Sequence, residues 1–440
     1  MNNSVLYKIL LLTLFFESFV GRVFAESVPI DSVKVVALNA YSVFSGNSLS
    51  EIETSSITPI TKNDTIVMYV CSFIRGFVLV SADNVALPIL GYSDEGFLDV
   101  EDMPFGVKFL TEAFAEEILM AKRVRAAASV EIQNEWRKYL DGNIDRSFYT
   151  PSIYLIQTKW GQSGGYLLPS LVNFNYYCPK HLNDYGVDSC TTRVGCGAVA
   201  LAQILHYWAC DVYPHGIVYN SNENIYLNLS DQNYEWYYML SHNADVYNAR
   251  LLADCAIAIN SLFRCQDPGT TSYPSVITNR LRNNYGFADA TLSYKTSDAV
   301  WFNLLKNSLD LRCPIFYAGD DTSGNGGHGW VVDGYTADNF FHCNFGWNGN
   351  YDGWYLLTNV TAGGYHLNNS HSAILNCYPT TYPNTEFVNV TIPNGQYTGH
   401  KVIIENSSLN ANANVVIDSD CSTDIFGPFS VPIGSTLHVK

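Results

Sequence analysis

The sequence predicts an α+β chain in three successive parts: a small α+β unit, a larger domain running from helix to antiparallel strand, and a short β-rich C-terminal region. Three observations carry this. Strand-like apolar runs before residue 93 lead into helical periodicity over about 104–140. A nearly all-apolar segment at 197–208 gives way, after about residue 310, to alternating strand and turn. Past residue 378, short alternating strands are separated by Asn, Gly and Ser. At 440 residues the chain exceeds one ordinary domain.

Hydrophobic residues make up 47% and charged residues 15%, ample for a core, and 30 Tyr, 23 Phe and 31 Gly favour a β- and loop-rich protein. A formal charge of -17 offers no basic surface to neutralise phosphates, which argues against nucleic acid. Residues 1–25 read as a secretory signal: Lys8, the apolar run 9–16, and Val23, Phe24 and Ala25 before a cut ahead of Glu26. The run is too short to span a bilayer, and Glu17 and Arg22 interrupt its extension. The expected product is secreted, periplasmic or surface-associated in a bacterium, without stable membrane insertion. The 11 Cys leave at least one thiol unpaired in an exported protein, and no C-x-x-C pair suggests zinc.

The first unit spans 26–147. Strands are expected at 33–38, 66–70, 76–83 and 88–92, and one helix from about 104 to 140, with Val107, Leu110, Phe114, Ile118 and Ala121 at helical spacing and Gly142 as its stop. The polar stretch 141–151 reads as an exposed linker or cleavage site. The second part spans 148–377: the helix at 197–208 is apolar nearly all round and hence buried, and strands follow at 313–318, 330–335, 340–345 and 354–358. In 378–440, strands are expected at 387–390, 401–404, 415–417 and 436–439.

Cys196 sits between Gly195 and Gly197 at the start of the buried helix, where the helix dipole and free N–H groups stabilise a thiolate. The plainer alternative is a buried structural Cys. A thiol nucleophile needs a base, and the base an orienter. His328 lies in a glycine-rich run before the apolar strand 330–335, presenting an imidazole beside a cleft. Asn344, on the next strand, offers a side-chain amide to fix its tautomer, and Trp347 a shield from water. A hairpin with aromatic packing explains that pair equally well. His206, His215 and His342 read as helix-surface, loop and strand residues. Gln162, in Thr158-Lys-Trp160-Gly-Gln162, would supply an oxyanion donor beside the Cys196 N–H. Gly195, Gly327, Gly329 and Trp347 are expected along the substrate's path.

The order Gln162, Cys196, His328, Asn344 and the segments around each resemble the streptopain-type family of papain-like cysteine peptidases. The segment 76–93 is similar to the propeptide strands of that family, so the resemblance covers about residues 30–376. It implies a papain-like catalytic domain over 148–377, with Cys196 as nucleophile, His328 as general base and acid, Gln162 in the oxyanion hole and Asn344 or a neighbour orienting His328. It further implies that 26–147 is an inhibitory propeptide, that protein or peptide substrates are the partners, and that no metal or organic cofactor is needed. Gly197, Gly329 and Phe345 depart from the family's usual residues, which bears on substrate preference and rate. A transglutaminase-like acyltransferase would use the same groups. A surface-binding protein on a degenerate peptidase scaffold is the non-enzymatic alternative. The acidic run 418–424 reads as a solvated turn in preference to a calcium loop.

Overall fold

The computed structural model describes residues 24–145, 154–162, 172–182, 189–265, 272–320, 327–361, 370–380 and 385–440. The expected signal core at 1–23 and the linker from 146 lie outside the described residues.

The first unit begins with a helix, α1 (Ile30–Ser45), where a strand was expected at 33–38. Val33, Val36, Ala37, Ala40 and Tyr41 are its buried residues, a helical spacing that the β-branched run disguised. Gly46 closes it in the left-handed conformation, φ 74°. Four antiparallel strands follow: β1 (Thr54–Lys62), β2 (Thr65–Phe73), β3 (Phe77–Ser81) and β4 (Ile89–Ser93). The single helix expected to 140 is two, α2 (Phe105–Arg123) and α3 (Val130–Leu140). Arg125 turns the chain at φ 51°, and Ser129 caps α3 by accepting the Ile132 N–H. Tyr41 and Phe44 of α1 stack on Phe73 and Tyr92, and β3 and β4 are buried at every position, so both faces of the sheet are covered there.

After residue 172 come the hairpin β5–β6 (Lys180–Leu182, Ser189–Thr191), α4 (Cys196–Trp208), and the hairpin β7–β8 (Ile217–Asn220, Ile225–Asn228). Next are α5 (Val246–Ala258), α6 (Pro274–Asn284), β9 (Thr291–Tyr294) and α7 (Asp298–Asp310). The strands β10 (Ile315–Asp320), β11 (Gly327–Tyr335), β12 (Phe340–Asn344), β13 (Gly353–Leu356) and β14 (Ser370–Leu375) complete it. The two units share one antiparallel sheet of ten strands, ordered β1-β2-β3-β4-β13-β12-β11-β10-β14-β9. Its seam is β4 on β13, with Tyr92 opposite Trp354 and Gly91 opposite Tyr355. Gly91 is required there, since a Cβ would stand 2.7 Å from the Tyr355 ring.

Alternation along β10 and β11 serves two cores. Ile315, Tyr317, Trp330 and Val332 join the core built with the first unit and α7. Phe316, Ala318 and Val331 join the core under α4, α5 and α6. The site therefore lies where the start of α4 meets the start of β11, between two packed layers.

The C-terminal strands β15 (Thr385–Val388), β16 (Thr391–Ile392), β17 (Gly395–Glu405), β18 (Ser408–Leu409), β19 (Asn414–Phe426) and β20 (Thr436–Val439) pair only in parallel. They stack as successive coils around Ile392, Val402, Ile404, Leu409, Val415 and Ile417, so the expected strands form a small parallel solenoid. The run 418–424 lies within β19 and is strand, not turn. Cys190 and Cys265 are bridged, with Cα atoms 6.0 Å apart, and Cys210 is also disulfide-bonded. No helix among the described residues is long and apolar enough to cross a membrane.

Candidate active site

The chain enters α4 through Gly195 at φ 88°, ψ 151°, a conformation that L side chains avoid, so the residue before Cys196 must be glycine. At Gly197 a Cβ would lie 2.4 Å from Ser272 Oγ, so a larger residue there would have to displace that hydroxyl.

His328 begins β11, buried and hydrogen-bonded to Cys196, and the Gly329 N–H donates to Cys196 Sγ at 3.4 Å. Burial alone would raise the Cys196 pKa. The His328 charge and hydrogen bond, with the Gly329 and Gly197 N–H groups, outweigh it and hold the thiol below its usual value. The other free thiols, Cys71, Cys178, Cys255, Cys313, Cys343 and Cys377, are all buried. Burial pushes every one of them up, Cys71 and Cys377 to about 12 and Cys313 to about 11. Among the free cysteines of the described residues, Cys196 alone is biased toward thiolate.

Gln162 is buried near this centre, on a segment that the isolated bridge Gly161–Trp347 ties to the turn after β12. Asn175 fixes its relation to the thiol. The fully buried Asn175 amide donates to the Gln162 carbonyl at 3.2 Å and accepts the Val194 N–H at 2.9 Å, joining the Gln162 segment to the loop before Cys196. Sequence reasoning missed Asn175. Nothing local marks it, because its two partners lie 13 and 19 residues away.

The expected bond from Asn344 to His328 is not made. Asn344 stands opposite Val331 in the β11–β12 register, three positions past His328. Its Oδ1 accepts from Gln203 Nε2 at 3.0 Å and from the Gly346 N–H at 3.1 Å, and its Nδ2 donates to the Thr158 carbonyl at 2.8 Å. Gln203 Oε1 in turn accepts from the Thr158 hydroxyl at 3.0 Å and the Trp160 N–H at 3.3 Å. This buried network braces α4 against β12 and the segment that leads to Gln162. His328 Nε2 is buried without a hydrogen-bond partner. The ring is held by packing, with Trp330 at 6.1 Å centroid distance and 25° interplanar angle. Trp347 is half-buried beside Gly161, its Nε1 also unpartnered. Gly327 is exposed, whereas Gly329 is buried with its missing Cβ 2.6 Å from Phe316.

Behind the centre, His342 Nδ1 bonds Asp333 Oδ1 at 2.6 Å, and Asp333 Oδ2 accepts the Ile156 N–H at 2.7 Å. Burial pulls the His342 pKa down, but the Asp333 carboxylate outweighs it and the net shift is upward. Tyr154 stacks on His342 at 4.3 Å, so this pair anchors the segment that enters the second unit.

The Peptidase C10 family model matches residues 171–355, and the Spi protease inhibitor model matches residues 34–118. The chain belongs to the streptopain-type family of papain-like cysteine peptidases and carries its inhibitory propeptide. Streptopain of Streptococcus pyogenes is 26% identical over 335 residues, covering 69% of this chain and 78% of streptopain. The thiol protease/hemagglutinin PrtT of Porphyromonas gingivalis is 24% identical over 303 residues, covering 66% of this chain and 33% of that protein. A fragment of Prevotella intermedia prointerpain A shares the fold, with TM-score 0.56, 23% identity, and coverage of 74% of this chain and 99% of that one.

In this peptidase the propeptide helix α2 lies on the candidate centre. A Cβ on Gly106 would stand 2.4 Å from His328 Cδ2 and 2.7 Å from Phe345 Cδ1, so the helix backbone packs directly on the imidazole edge that carries the unpartnered Nε2. Farther along, Glu117 Oε2 accepts the Val360 and Thr361 N–H groups at 2.8 and 3.4 Å. Burial raises Glu117 from 4.5 to about 7, against the opposing pull of those N–H groups and of Lys295, while Asp298 adds to the rise. A raised carboxyl pKa favours docking most below its free value of 4.5, and that contribution is lost as pH rises through about 7. Release of the propeptide from the full chain is therefore expected to accelerate as pH rises from about 4.5 to about 7 and to level off above that, and Glu117→Gln to flatten the rise. Processing followed by gel at each pH checks it; an unchanged slope in the variant would assign the dependence elsewhere.

Proposed function

We propose that the chain is the secreted zymogen of a cysteine endopeptidase that hydrolyses peptide bonds through a Cys196 thiolate–His328 imidazolium pair. The observation that carries this is the Cys196 thiol at the start of a buried helix, taking the Gly329 N–H beside the buried His328, with its pKa held down there. Cys196 attacks the scissile carbonyl, and the developing oxyanion takes hydrogen bonds from Gln162 and the Cys196 N–H. His328 then protonates the leaving amine, and water resolves the acyl-enzyme. A bell-shaped rate profile is expected, because attack needs the thiolate and departure of the amine needs a proton donor. Asn344 supports the centre through Gln203 and the Gln162 segment, as a positioning residue. Residues 26–147 serve as the propeptide, 148–377 as the peptidase domain, and 378–440 as a solenoid appendage; maturation cuts within 140–152.

The test uses the full chain, allowed to mature. Casein should be digested, a thiol-reactive peptidyl probe should map to Cys196, and the mature N-terminus should fall within 140–152 by mass spectrometry. Equal casein digestion by wild type and Cys196→Ala would refute the assignment. Incorporation of an amine donor in place of hydrolysis would move the chain to an acyltransferase. An unlabelled Cys196 in folded, processed protein would leave only a binding role.

A further inference from the structure

One propeptide side chain fills a slot beside His328. Phe109 lies on α2 one turn after Gly106, and is buried at 5% exposure. Its ring occupies the space above Gly319: a Cβ there would lie 2.4 Å from Phe109 Cε1 and 2.5 Å from its Cζ. In the sheet, Gly319 stands between His328 on β11 and His371 on β14, so the three form one row across neighbouring strands. Gly319 is the floor of the slot. Trp330 forms one wall, with its ring 6.1 Å from that of Phe109, and His371 the other, edge-on at 5.2 Å and 70°.

The walls are rigid. Tyr317 OH bonds His371 Nδ1 at 2.7 Å, and Trp301 Nε1 donates to the same hydroxyl at 3.0 Å. Burial, with Lys295 adding to it, holds His371 down to about 3, so the wall is a neutral aromatic ring. Every wall and floor residue lies after residue 300, and Phe109 falls within the 34–118 inhibitor match. Removing the propeptide thus vacates a preformed aromatic slot one strand from His328.

We propose that in the mature peptidase this slot is a subsite for an aromatic side chain in the leaving-group half of the substrate. The inference rests on the catalytic reading of Cys196 and His328. The acyl half of a substrate is bound to Cys196, with its oxygen toward Gln162. The half that His328 protonates lies against His328, and the slot opens there. A phenyl ring already fits, edge to face with one neighbour and tilted on another, the arrangement aromatic rings prefer. An aromatic residue after the cut bond should raise kcat/KM on the order of 10- to 100-fold over alanine, in the range that one well-filled pocket supplies.

The experiment uses the matured full chain and a peptide library varied on both sides of the cut, with products read by mass spectrometry. Phe, Tyr or Trp should be enriched after the cut. Gly319→Ala places a methyl group where the ring sits, and should collapse the aromatic-to-alanine ratio through KM. A flat profile after the cut, with Cys196 labelled by the probe, removes the subsite and leaves the catalytic reading standing. So does an aromatic preference that Gly319→Ala leaves intact. An unlabelled Cys196 with no hydrolysis removes both. If Gly319→Ala does not accumulate, the wild-type profile decides alone.

Discussion

Cys196→Ala is expected to lower kcat/KM for a fluorogenic peptide by on the order of 10⁴-fold or more, the scale of removing a nucleophile that acts as one unit with its base. The substitution deletes the atom that bonds to the carbonyl and leaves the helix start otherwise intact, since Gly195 sets the backbone there. Gln162→Ala separates a second contribution. An oxyanion donor acts mainly in the transition state, so its loss should cost roughly 10² to 10³ in kcat, about 2.7–4 kcal/mol, with KM little moved. Both are measured on matured enzyme. Activity of Cys196→Ala within tenfold of wild type would overturn the nucleophile. An effect of Gln162→Ala confined to KM would make that residue a substrate contact in place of an oxyanion donor.

Gly106→Leu in the precursor is expected to raise the labelling rate of Cys196 on uncleaved chain by roughly 10- to 100-fold. The missing Cβ of Gly106 points at the His328 ring, and overpacking of a filled site costs about 1–3 kcal/mol. The strain should move α2 and leave His328 in place. His328 stands on β11, inside the ten-stranded sheet between β10 and β12, while α2 is held by side-chain packing and by Glu117. A short pulse of thiol-reactive peptidyl probe, followed by a gel that separates precursor from mature enzyme, reads the effect. Thermal melting of the variant distinguishes local release from general unfolding. Slower labelling would mean that His328 yields and the helix stays.

Much of the catalytic half was legible because its signals are local. Gly-Cys-Gly before an apolar run announces a glycine-flanked thiol on a buried helix, and α4 begins at Cys196. The alternating runs after residue 310 name β10 to β13 within two or three residues. The errors have one physical origin. Val33 to Leu38 is rich in β-branched residues and reads as a strand, but α1 is stabilised by burying one helical stripe against β3 and β4. The break between α2 and α3 hides in good helix formers, because it depends on Arg125 turning and Ser129 capping.

Asn344 shows the same limit at the candidate site. Its residue type and its place at the end of a strand suited an amide that orients an imidazole. Which partner it meets depends on strand register and on Gln203, which projects from α4 seven residues after Cys196. Asn175 was invisible for the complementary reason: a lone buried amide has no pattern until its two distant partners arrive.

The sequence by itself determined the nucleophile candidate, its glycine-flanked helix, the histidine at a strand start, and the presence of a separate unit ahead of them. Each of these is written in residues close together in the chain, where periodicity and backbone freedom act. Only the tertiary structure decided that the propeptide strands extend the peptidase's own sheet through β4 and β13. It alone placed Gly106 on His328, Phe109 over Gly319, and the Asn344 amide on Gln203. The physical reason is that strand order, register and interhelical contact are set by the fit of surfaces far apart in sequence. The depressed thiol belongs to both levels: the helix start comes from the chain's local pattern, and the charge that lowers its pKa comes from a residue brought across the fold.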